Sequence, residues 1–518
     1  MPINCFSQLR RAGLLAGAAL ALAGCATDAL NGQQGAAVPA DTIALLQRVS
    51  WGVNASTLRQ VQAQGWARYL DGQLHPRSAP APLPAAVQAQ IDAMTISQRP
   101  LVDLVQDGER QRKALGALAG DEEKKLAQQA YQQELSRLAR EAATRSLLLD
   151  LYSPQQLQQQ MTWFWMNHFS VHQGKHNLRA MVGDYEAAAI APHALGKFRD
   201  LLGASAHHPA MLRYLDNEAN AANRINENYA RELMELHTLG VDGGYSQRDV
   251  QELARILTGV GVNLGTDAPK VAPKLQAQYV RRGLFEFNPN RHDYGDKQFL
   301  GQTVRGRGLA ELDEALDRLS RSPATAHFIS RKLALFLVGD EPSKALVERM
   351  AHIFLASDGD IAATLENLFA SAEFRQSLGR KFKDPIHYVV SAVRLTYDDK
   401  PILNAGPMLN WLTRMGQPLY GRQTPDGYPL LDSAWASPGQ MTTRFEIAKA
   451  IGGGNAGLFK SDGPQPQERA AFPQLASALY HQSLKATLSA TTLQAMEQAA
   501  SPQEWNTFLL SSPEMMHR

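Results

Sequence analysis

The spacing of apolar and polar residues predicts α-helices along most of the chain. Between residues 121 and 151, Leu126, Leu135, Leu138 and Leu149 approximate the period of a helix. Arginine and glutamate residues spaced four apart lie on the other side of this segment, where opposite charges can pair. The pattern predicts a long surface helix with a solvated charged face.

A recurring pair of residues marks the predicted starts of helices. Ser153-Pro154, Ser322-Pro323, Asp384-Pro385 and Ser501-Pro502 each precede a stretch with helical spacing. A serine or aspartate oxygen can accept a hydrogen bond from a free N–H of the first turn, and proline fits that turn because it lacks an N–H. The chain is therefore predicted to be mainly α.

Residues 262–307 depart from helical spacing, because they are rich in glycine, proline, arginine and aromatic residues. The segments LFEFN and KQFLGQTV within them are predicted to pair as short strands around Asn288-Pro289-Asn290. The predicted fold is a large multi-helical domain with a small β-hairpin or irregular insertion near residues 262–307. Residues 416–439 are also rich in glycine and proline, but their two tyrosines and one tryptophan make them too aromatic for a plain linker.

The densest polar pattern lies in NENYARELMELHTLGVDGGYSQRDVQELARILTG, residues 226–259. Helices are predicted at 226–240 and 246–258, the second opened by a capping box and ended near a glycine. At 100° per residue the polar side chains of the first helix share one face, while the histidine that follows them falls on the apolar arc. This polar face comprises Glu227, Asn228, Arg231, Glu232 and Glu235.

Two interpretations of this polar face remain open. Glu227, Arg231 and Glu235 are four apart, so the arginine could bridge both carboxylates in a structural ladder. Alternatively, the carboxylates could act as an acid/base pair or as metal ligands, with the arginine orienting an anionic group. The asparagines of the segment favour the second interpretation, because exposed helix positions usually carry better helix formers.

Histidines follow the aromatic segment WFWMNHF, within a helix predicted at 154–173. His168 and His172 are four apart and share their arc with aromatic residues, a geometry that suits either two metal ligands or a buried core pair. The HExxH context that would make a zinc site specific is absent. In the irregular region, His292 beside Asp293 could serve as a general base or as a ligand.

Composition excludes some classes of function. The 518 residues include 52 Lys plus Arg and 50 Asp plus Glu, a formal charge of +2, so no overall basic field favours nucleic acid. Beyond residue 25 no apolar run reaches the length of about 18 residues that a spanning helix needs.

The N-terminus has the pattern of a lipoprotein signal. Residues 1–24 combine Arg10-Arg11, a short apolar run and small residues before Cys25, which would be the lipidated residue. Residues 25–40 form a predicted flexible tether, and residues 41–518 the helical domain. Export by the general or by the twin-arginine route remains open. Ala26 after the cysteine favours the outer membrane, facing either the periplasm or the cell surface, so a lipid-anchored envelope protein is expected.

Four segments resemble the domain of unknown function 1800 (DUF1800) family: WFWMNHF, the NENYAREL block with the residues that follow it, HDYGDKQFLG and FISRKLALFLV. The resemblance spans about residue 41 to the C-terminus. It implies an exported bacterial protein that is often encoded beside a DUF1501 family protein, which is the expected partner, and it implies no established activity. The positions that match the family motifs are Asn167, His168, Asn226, Glu227, Asn228, Arg231, Glu232, Glu235, His292 and Asp293.

Two functions follow as hypotheses. The first is an envelope enzyme with a Glu/Arg/His site, performing acid/base or metal-assisted chemistry with a divalent metal as the cofactor. Its catalytic residues would be Glu227, Asn228, Arg231, Glu232 and Glu235, and its metal ligands would be His168, His172, His292 and Asp293. The second is a non-catalytic scaffold or binding protein, in which the same polar residues form a buried network that specifies helix packing.

Overall fold

A computed structural model describes residues 40–76, 82–460 and 472–518. The predicted signal peptide, the lipidation site Cys25 and nearly all of the predicted tether lie outside the described residues. Buried apolar side chains from Ile43 to Met516 form one core cluster. Among the described residues, no helix combines the length and the apolar character needed to cross a bilayer.

The first half of the chain is helical, as the spacing predicted. Its α-helices are α1 (Ala40–Val49), α2 (Ala55–Gln64), α3 (Trp66–Leu74), α4 (Ala85–Asp92), α5 (Thr95–Gln98), α6 (Leu101–Leu115), α7 (Asp121–Tyr152), α8 (Gln156–His168), α9 (Val182–Asp184), α10 (Phe198–His207), α11 (Pro209–Tyr214), α12 (Asn228–Glu235) and α13 (Gln247–Ile256). A π-helical turn, Tyr185–Ile190, continues α9.

The irregular region forms two small antiparallel sheets rather than the single predicted hairpin. The strands are β1 (Val260–Val262), β2 (Val280–Arg282), β3 (Phe285–Phe287), β4 (Lys297–Phe299) and β5 (Gln302–Val304). The order in the first sheet is β1-β3-β2, while β4 pairs only with β5. The predicted pairing of LFEFN with KQFLGQTV is therefore wrong. KQFLGQTV turns back on itself because Leu300 and Gly301 both adopt positive φ, 49° and 74°.

The second half is again helical. Its α-helices are α14 (Ala310–Ser320), α15 (Pro323–Leu337), α16 (Lys344–Ala356), α17 (Ile361–Ala370), α18 (Ala372–Ser377), α19 (Pro385–Tyr397), α20 (Gly406–Arg414), α21 (Pro438–Gly452), α22 (Ala478–Gln482), α23 (Ala490–Glu497) and α24 (Pro502–Leu510). Short 3₁₀ turns lie at 178–180, 191–193, 217–219, 273–278, 289–291, 432–434, 484–487 and 513–516. The mainly α fold with a small β insertion is confirmed.

Three of the four predicted helix starts are correct. α15, α19 and α24 begin at the proline after their Ser or Asp N-cap. Ser153-Pro154 is the exception, because the Ser153 hydroxyl accepts a hydrogen bond from the Gln155 N–H at 3.1 Å and closes a local turn. α8 therefore starts only at Gln156.

The long helix α7 corrects a second expectation. Its first turns are exposed, as the charged face predicted, and Leu126 is 64% exposed. Its last turns are in the core, where Leu147, Leu148 and Leu151 are buried together with Asp150. The helix is therefore a surface element at one end and a core element at the other.

A buried arginine fixes the buried end of α7. Arg394 of α19 donates to the carbonyl oxygen of Leu151, to the carbonyl oxygen of Gly52 at 3.3 Å and to the Thr57 hydroxyl at 3.1 Å. Because buried backbone carbonyls are costly to leave unpaired, these contacts hold the N-terminal segment, α7 and α19 in one arrangement. The position of Asp150 follows from it.

Candidate functional site

The predicted Glu/Arg ladder exists only in part. The Glu227 Oε2 atom lies 3.1 Å from Arg231 Nη2 and accepts from Gln247 Nε2 at 2.7 Å. Glu227 is the N-cap of the short helix α12, and no contact joins Arg231 to Glu235. The cluster is half exposed, so it is a surface network and its ion pair contributes little stability.

The asparagines of the same segment bind backbone rather than a ligand. Asn228 Nδ2 donates to the Leu215 carbonyl at 3.1 Å, and Asn226 Nδ2 donates to the Asp216 carbonyl at 3.2 Å. Both side chains thereby attach the start of α12 to the preceding loop.

Glu232 is half buried, as are Glu227, Arg231 and Glu235. Burial, then the nearby carboxylates of Glu235 and Asp426, raise the pKa of Glu232, and Arg231 opposes the shift. Asp426 belongs to the 416–439 region, so this region lies close to the polar face of α12. The structure thus places the predicted Glu face beside the 416–439 loop.

The predicted histidine pair is divided by a helix end. α8 stops at His168 because Phe169 leaves the helical conformation with φ −97° and ψ 51°, so His172 lies beyond the helix. His168 is buried, with Nδ1 2.8 Å from Lys332 Nζ and Nε2 3.1 Å from the His237 carbonyl oxygen. Burial lowers the pKa of Lys332 to about 8. The sequence placed His237 on the apolar arc, and it is fully buried.

His292 and Asp293 are bound to groups other than the α12 face. The His292 Nδ1 atom lies 2.8 Å from the Thr258 carbonyl oxygen, and its Nε2 atom lies 2.9 Å from Glu311, so both ring nitrogens face acceptors. Asp293 accepts from Arg255 Nε at 2.7 Å. Burial raises the pKa of Asp293, but Arg255, the Gly295 N–H and Lys297 together lower it below its ordinary value.

These contacts show that His168, His172, His292 and Asp293 do not converge on one point. Within the described ranges, no group of three or more His, Cys, Asp or Glu side chains is arranged to hold a metal ion. The contacts of the predicted residues therefore define separate local networks.

A partly enclosed cavity of about 40 Å³ lies elsewhere, between the end of α7, α8, the π-helical turn and the 416–439 loop. A water molecule needs about 10–15 Å³ measured in this way, so the cavity can hold water but not a larger ligand in this conformation. Its lining consists of Ser146, Asp150, Gln159, Thr162, Trp163, Met166, Asn167, Ser170, Val171, Glu186, Gln417, Leu419, Tyr420, Arg422 and Tyr428.

Two buried carboxyl groups, Asp150 and Glu186, dominate the chemistry of this cavity. Asp150 is 3% exposed and Glu186 is 8% exposed. Burial, then repulsion from Glu186, raises the pKa of Asp150 well above its ordinary value. The Asp150 Oδ2 atom has no hydrogen-bond partner among the described residues. Trp51 and Arg394 oppose this rise in pKa, but burial outweighs them and favours the protonated form, so Asp150 is suited to donate a proton.

Glu186 has a different environment. Burial raises the pKa of Glu186, but the Tyr420 hydroxyl, Arg145 and Ser146 oppose the rise by stabilising the carboxylate. The Tyr420 hydroxyl donates a hydrogen bond to Glu186 Oε2. Two carboxyl groups whose surroundings push their protonation apart are the arrangement that acid/base catalysis requires.

A loop closes the cavity and is held by Asn167. Its side-chain amide pairs with the backbone of Tyr428, donating from Nδ2 to the carbonyl at 2.9 Å and accepting from the N–H at 2.6 Å. The preceding Gly427 has φ 77°, and a Cβ atom there would lie 2.1 Å from the Asn167 carbonyl oxygen. Glycine is therefore required where the loop approaches α8.

A buried Asp–His pair lies next to the cavity and contacts one of its lining residues. The His387 Nδ1 atom lies 2.5 Å from Asp384 Oδ1, and the ring packs on Trp51 with 4.5 Å between centroids. Asp384 also accepts from Gln417 Nε2 at 3.3 Å, and Gln417 lines the cavity. Burial lowers the pKa of His387 to about 4. The His387 imidazole is therefore neutral. Through Asp384 the pair holds Gln417 in the cavity wall.

The sequence analysis missed Asp150 and Glu186. A signal was present in SLLLDLY, residues 146–152, where a single acid interrupts an apolar run, and in YEAAAIA, residues 185–191, where one acid stands among small apolar residues. The 416–439 loop is distinguished in the sequence only by its aromatic content. Of the predicted segments, WFWMNHF contributes directly to the cavity, through Asn167 and its neighbours.

The fold and the cavity together define a mainly α-helical protein with an enclosed pair of carboxyl groups under a loop. The chain belongs to the family described as "Protein of unknown function (DUF1800)", whose model matches residues 44–517. Comparison with curated proteins and comparison with solved structures each gave no match.

The contact of Gly427 with Asn167 gives a test of loop closure. Gly427→Ala should lower the apparent melting temperature and speed trypsin cleavage after Arg422, because the added Cβ meets the Asn167 carbonyl. Gly416→Ala is the matched control, since Gly416 has nearly the same φ, 78°, and no atom within 4 Å of an added Cβ. The control should cost only about 1–2 kcal/mol of backbone strain. Equal effects of the two substitutions would contradict the role of this contact.

Proposed function

We propose that the chain is an acid/base hydrolase whose catalytic carboxyl groups are Asp150 and Glu186. The observation that carries the proposal is the cavity in which both acids are buried with raised pKa values, Asp150 with an unpartnered Oδ2 atom and Glu186 hydrogen-bonded to Tyr420. Stability alone does not favour a buried acid with an unpartnered oxygen, so the presence of Asp150 in a cavity supports a chemical role.

A glycosidic linkage is the bond class that best matches these groups. Its hydrolysis needs one carboxylic acid to protonate the leaving oxygen and one carboxylate to act on the other side. Asp150 would donate its proton to the glycosidic oxygen. Glu186, oriented by the Tyr420 hydroxyl, would take a proton from a water molecule whose oxygen attacks the anomeric carbon. Proton exchange with solvent would then return both groups to their starting forms.

The lining and the loop fit a sugar substrate. Trp163, Tyr420 and Tyr428 supply aromatic surface on which the apolar faces of sugar rings can pack. Because the closed cavity holds only water, the 416–439 loop has to move before a sugar residue can reach the carboxyl groups. Release of the Asn167–Tyr428 contacts is the movement that the structure suggests.

Substitution of the two acids tests the chemistry. Asp150→Asn and Glu186→Gln should each reduce the release of reducing ends from purified peptidoglycan or polygalacturonate by about 100-fold or more. Glu134→Gln, an exposed acid on the same helix α7, is the control and should leave the rate unchanged. Glu227→Gln and Glu235→Gln distinguish the α12 surface. If these two variants lost activity and the cavity variants did not, the active site would lie on α12 and the assignment of Asp150 and Glu186 would be wrong.

The stability of Asp150→Asn tests the same proposal without a substrate. A carboxyl group whose folded pKa is raised contributes stability below its unfolded pKa of about 4, and this contribution is lost as the pH rises through the folded pKa. Asparagine has nearly the same shape as aspartate but cannot ionise, so Asp150→Asn removes the free-energy cost of ionising a buried acid. Asp150→Asn should therefore raise the apparent melting temperature at pH 7.5, by about 2 °C or more, and by less at pH 4.5.

The scaffold hypothesis predicts the opposite result for this variant. If Asp150 belonged to a structural hydrogen-bond network, the amide would lower the melting temperature at both pH values. Glu134→Gln again serves as the control for the measurement. A fall at both pH values would contradict the catalytic assignment of Asp150.

We also propose that the protein acts in the cell envelope, anchored by lipid at Cys25 to the outer membrane, with a DUF1501 family protein as its partner. The lipoprotein pattern before Cys25 supports the location. Cys25→Ala should move the protein from the membrane fraction to the soluble fraction, as fractionation and immunoblotting would detect. Retention in the membrane fraction would contradict lipidation at this residue.

A further inference from the structure

A groove of about 530 Å³ runs between α7 and α20, next to the cavity. α7 contributes residues at helical spacing from Ser136 to Ala143, and α20 contributes a matching series from Gly406 to Thr413. Ala139 and Ala143 are small and buried, so the two helices leave an elongated space between them. The shape suits a chain rather than a compact molecule.

The groove carries positive charge without a carboxylate. Arg140 and Arg179 line it, and neither Asp nor Glu is among its lining residues. Arg179 donates to neutral groups, the Ser136 hydroxyl at 2.9 Å and the Gln132 side-chain oxygen, and its buried Nε atom has no acceptor among the described residues. Concave sites with uncompensated arginine favour oxyanions, which the guanidinium can bind through two parallel hydrogen bonds.

Only one short segment separates the groove from the cavity. Leu419 lines both spaces. Gln173 holds this segment, donating from its backbone N–H to the Tyr420 carbonyl at 2.9 Å and from Nε2 to the Leu419 carbonyl at 3.1 Å. Tyr420 has φ 55°, a left-handed conformation that a non-glycine residue adopts at a cost. Leu419 and the strained residue Tyr420 therefore form part of the wall between the groove and the cavity.

We propose that the groove binds the oxyanion groups of an acidic polysaccharide and directs the chain to the carboxyl groups of the cavity. The inference rests on the proposed function, because it assigns the substrate class of the same site. Arg140 and Arg179 would bind carboxylate or phosphate groups, while Asn410 and Thr413 on the opposite wall would bind hydroxyl groups. Displacement of the Leu419–Tyr420 wall would join the groove to the cavity.

Binding measurements on the inactive Asp150→Asn protein test this inference. Isothermal titration in 50 mM salt would use three probes: oligogalacturonate, short-chain inorganic polyphosphate and neutral dextran. An anionic probe should bind, weaken in higher salt, and lose about tenfold in affinity with Arg140→Gln and again with Arg179→Gln. Arg380→Gln, an exposed arginine outside the groove, should leave the affinity unchanged.

Each outcome has a defined meaning. Binding of oligogalacturonate alone identifies carboxylate, binding of polyphosphate alone identifies phosphate, and loss of both in the groove variants supports a general oxyanion site. Absence of binding by either anion, equal binding of dextran, or affinity unaffected by Arg140→Gln would overturn the inference. Arg140 is exposed, so Arg140→Gln is expected to leave the fold intact. A loss of binding in this variant therefore reports on the groove, even if Arg179→Gln were to misfold. Turnover does not enter the measurement, so a failure here is separate from a failure of the hydrolase assignment.

Discussion

Arg394 joins three distant parts of the chain at the point where α7 ends. Its guanidinium donates to Leu151, Gly52 and Thr57, and so fixes the last turn of a long helix whose first turns are in solvent. The carboxyl group of Asp150 is thereby held in the core, one residue before the carbonyl that Arg394 binds. The raised pKa of Asp150 depends on this constraint, because burial is the main cause of the rise. The cavity therefore depends on the hydrogen bonds by which Arg394 holds the end of α7.

The site combines elements that are far apart in sequence. α7 supplies Asp150, the π-helical turn supplies Glu186, and a loop more than two hundred residues later supplies Tyr420. Each group changes the protonation of another: Glu186 disfavours ionisation of Asp150, and Tyr420 favours ionisation of Glu186. The neighbouring groove adds positive charge on the outside of the same loop. The buried carboxyl groups and the arginine-lined groove are thus adjacent, with Leu419 lining both spaces.

Sequence patterns predicted the fold class and three of the four helix starts marked by a Ser-Pro or Asp-Pro pair, because periodicity and capping act over only a few residues. The strand pairing in 262–307 was missed because β3 pairs with β1 and β2, which both lie outside the two segments considered. The polar face of α12 was visible in the sequence, but its contacts with Gln247 and with loop carbonyls depend on tertiary structure. Asp150 and Glu186 were missed because a single acid in an apolar stretch has no local pattern; only the cavity brings the two together.

The π-helical turn at Tyr185–Ile190 imposes a limit on how the chain can vary in length. A π turn holds one more residue than the corresponding α turn. Deletion of one residue would let the segment close as an ordinary α-helix, which would keep its flanks in register but change the direction of the side chains inside the turn. Glu186 would then lose its orientation toward Asp150, although every side chain of the cavity was still encoded. Related chains with the same chemistry should therefore keep this segment at constant length, while insertions are tolerated in exposed loops.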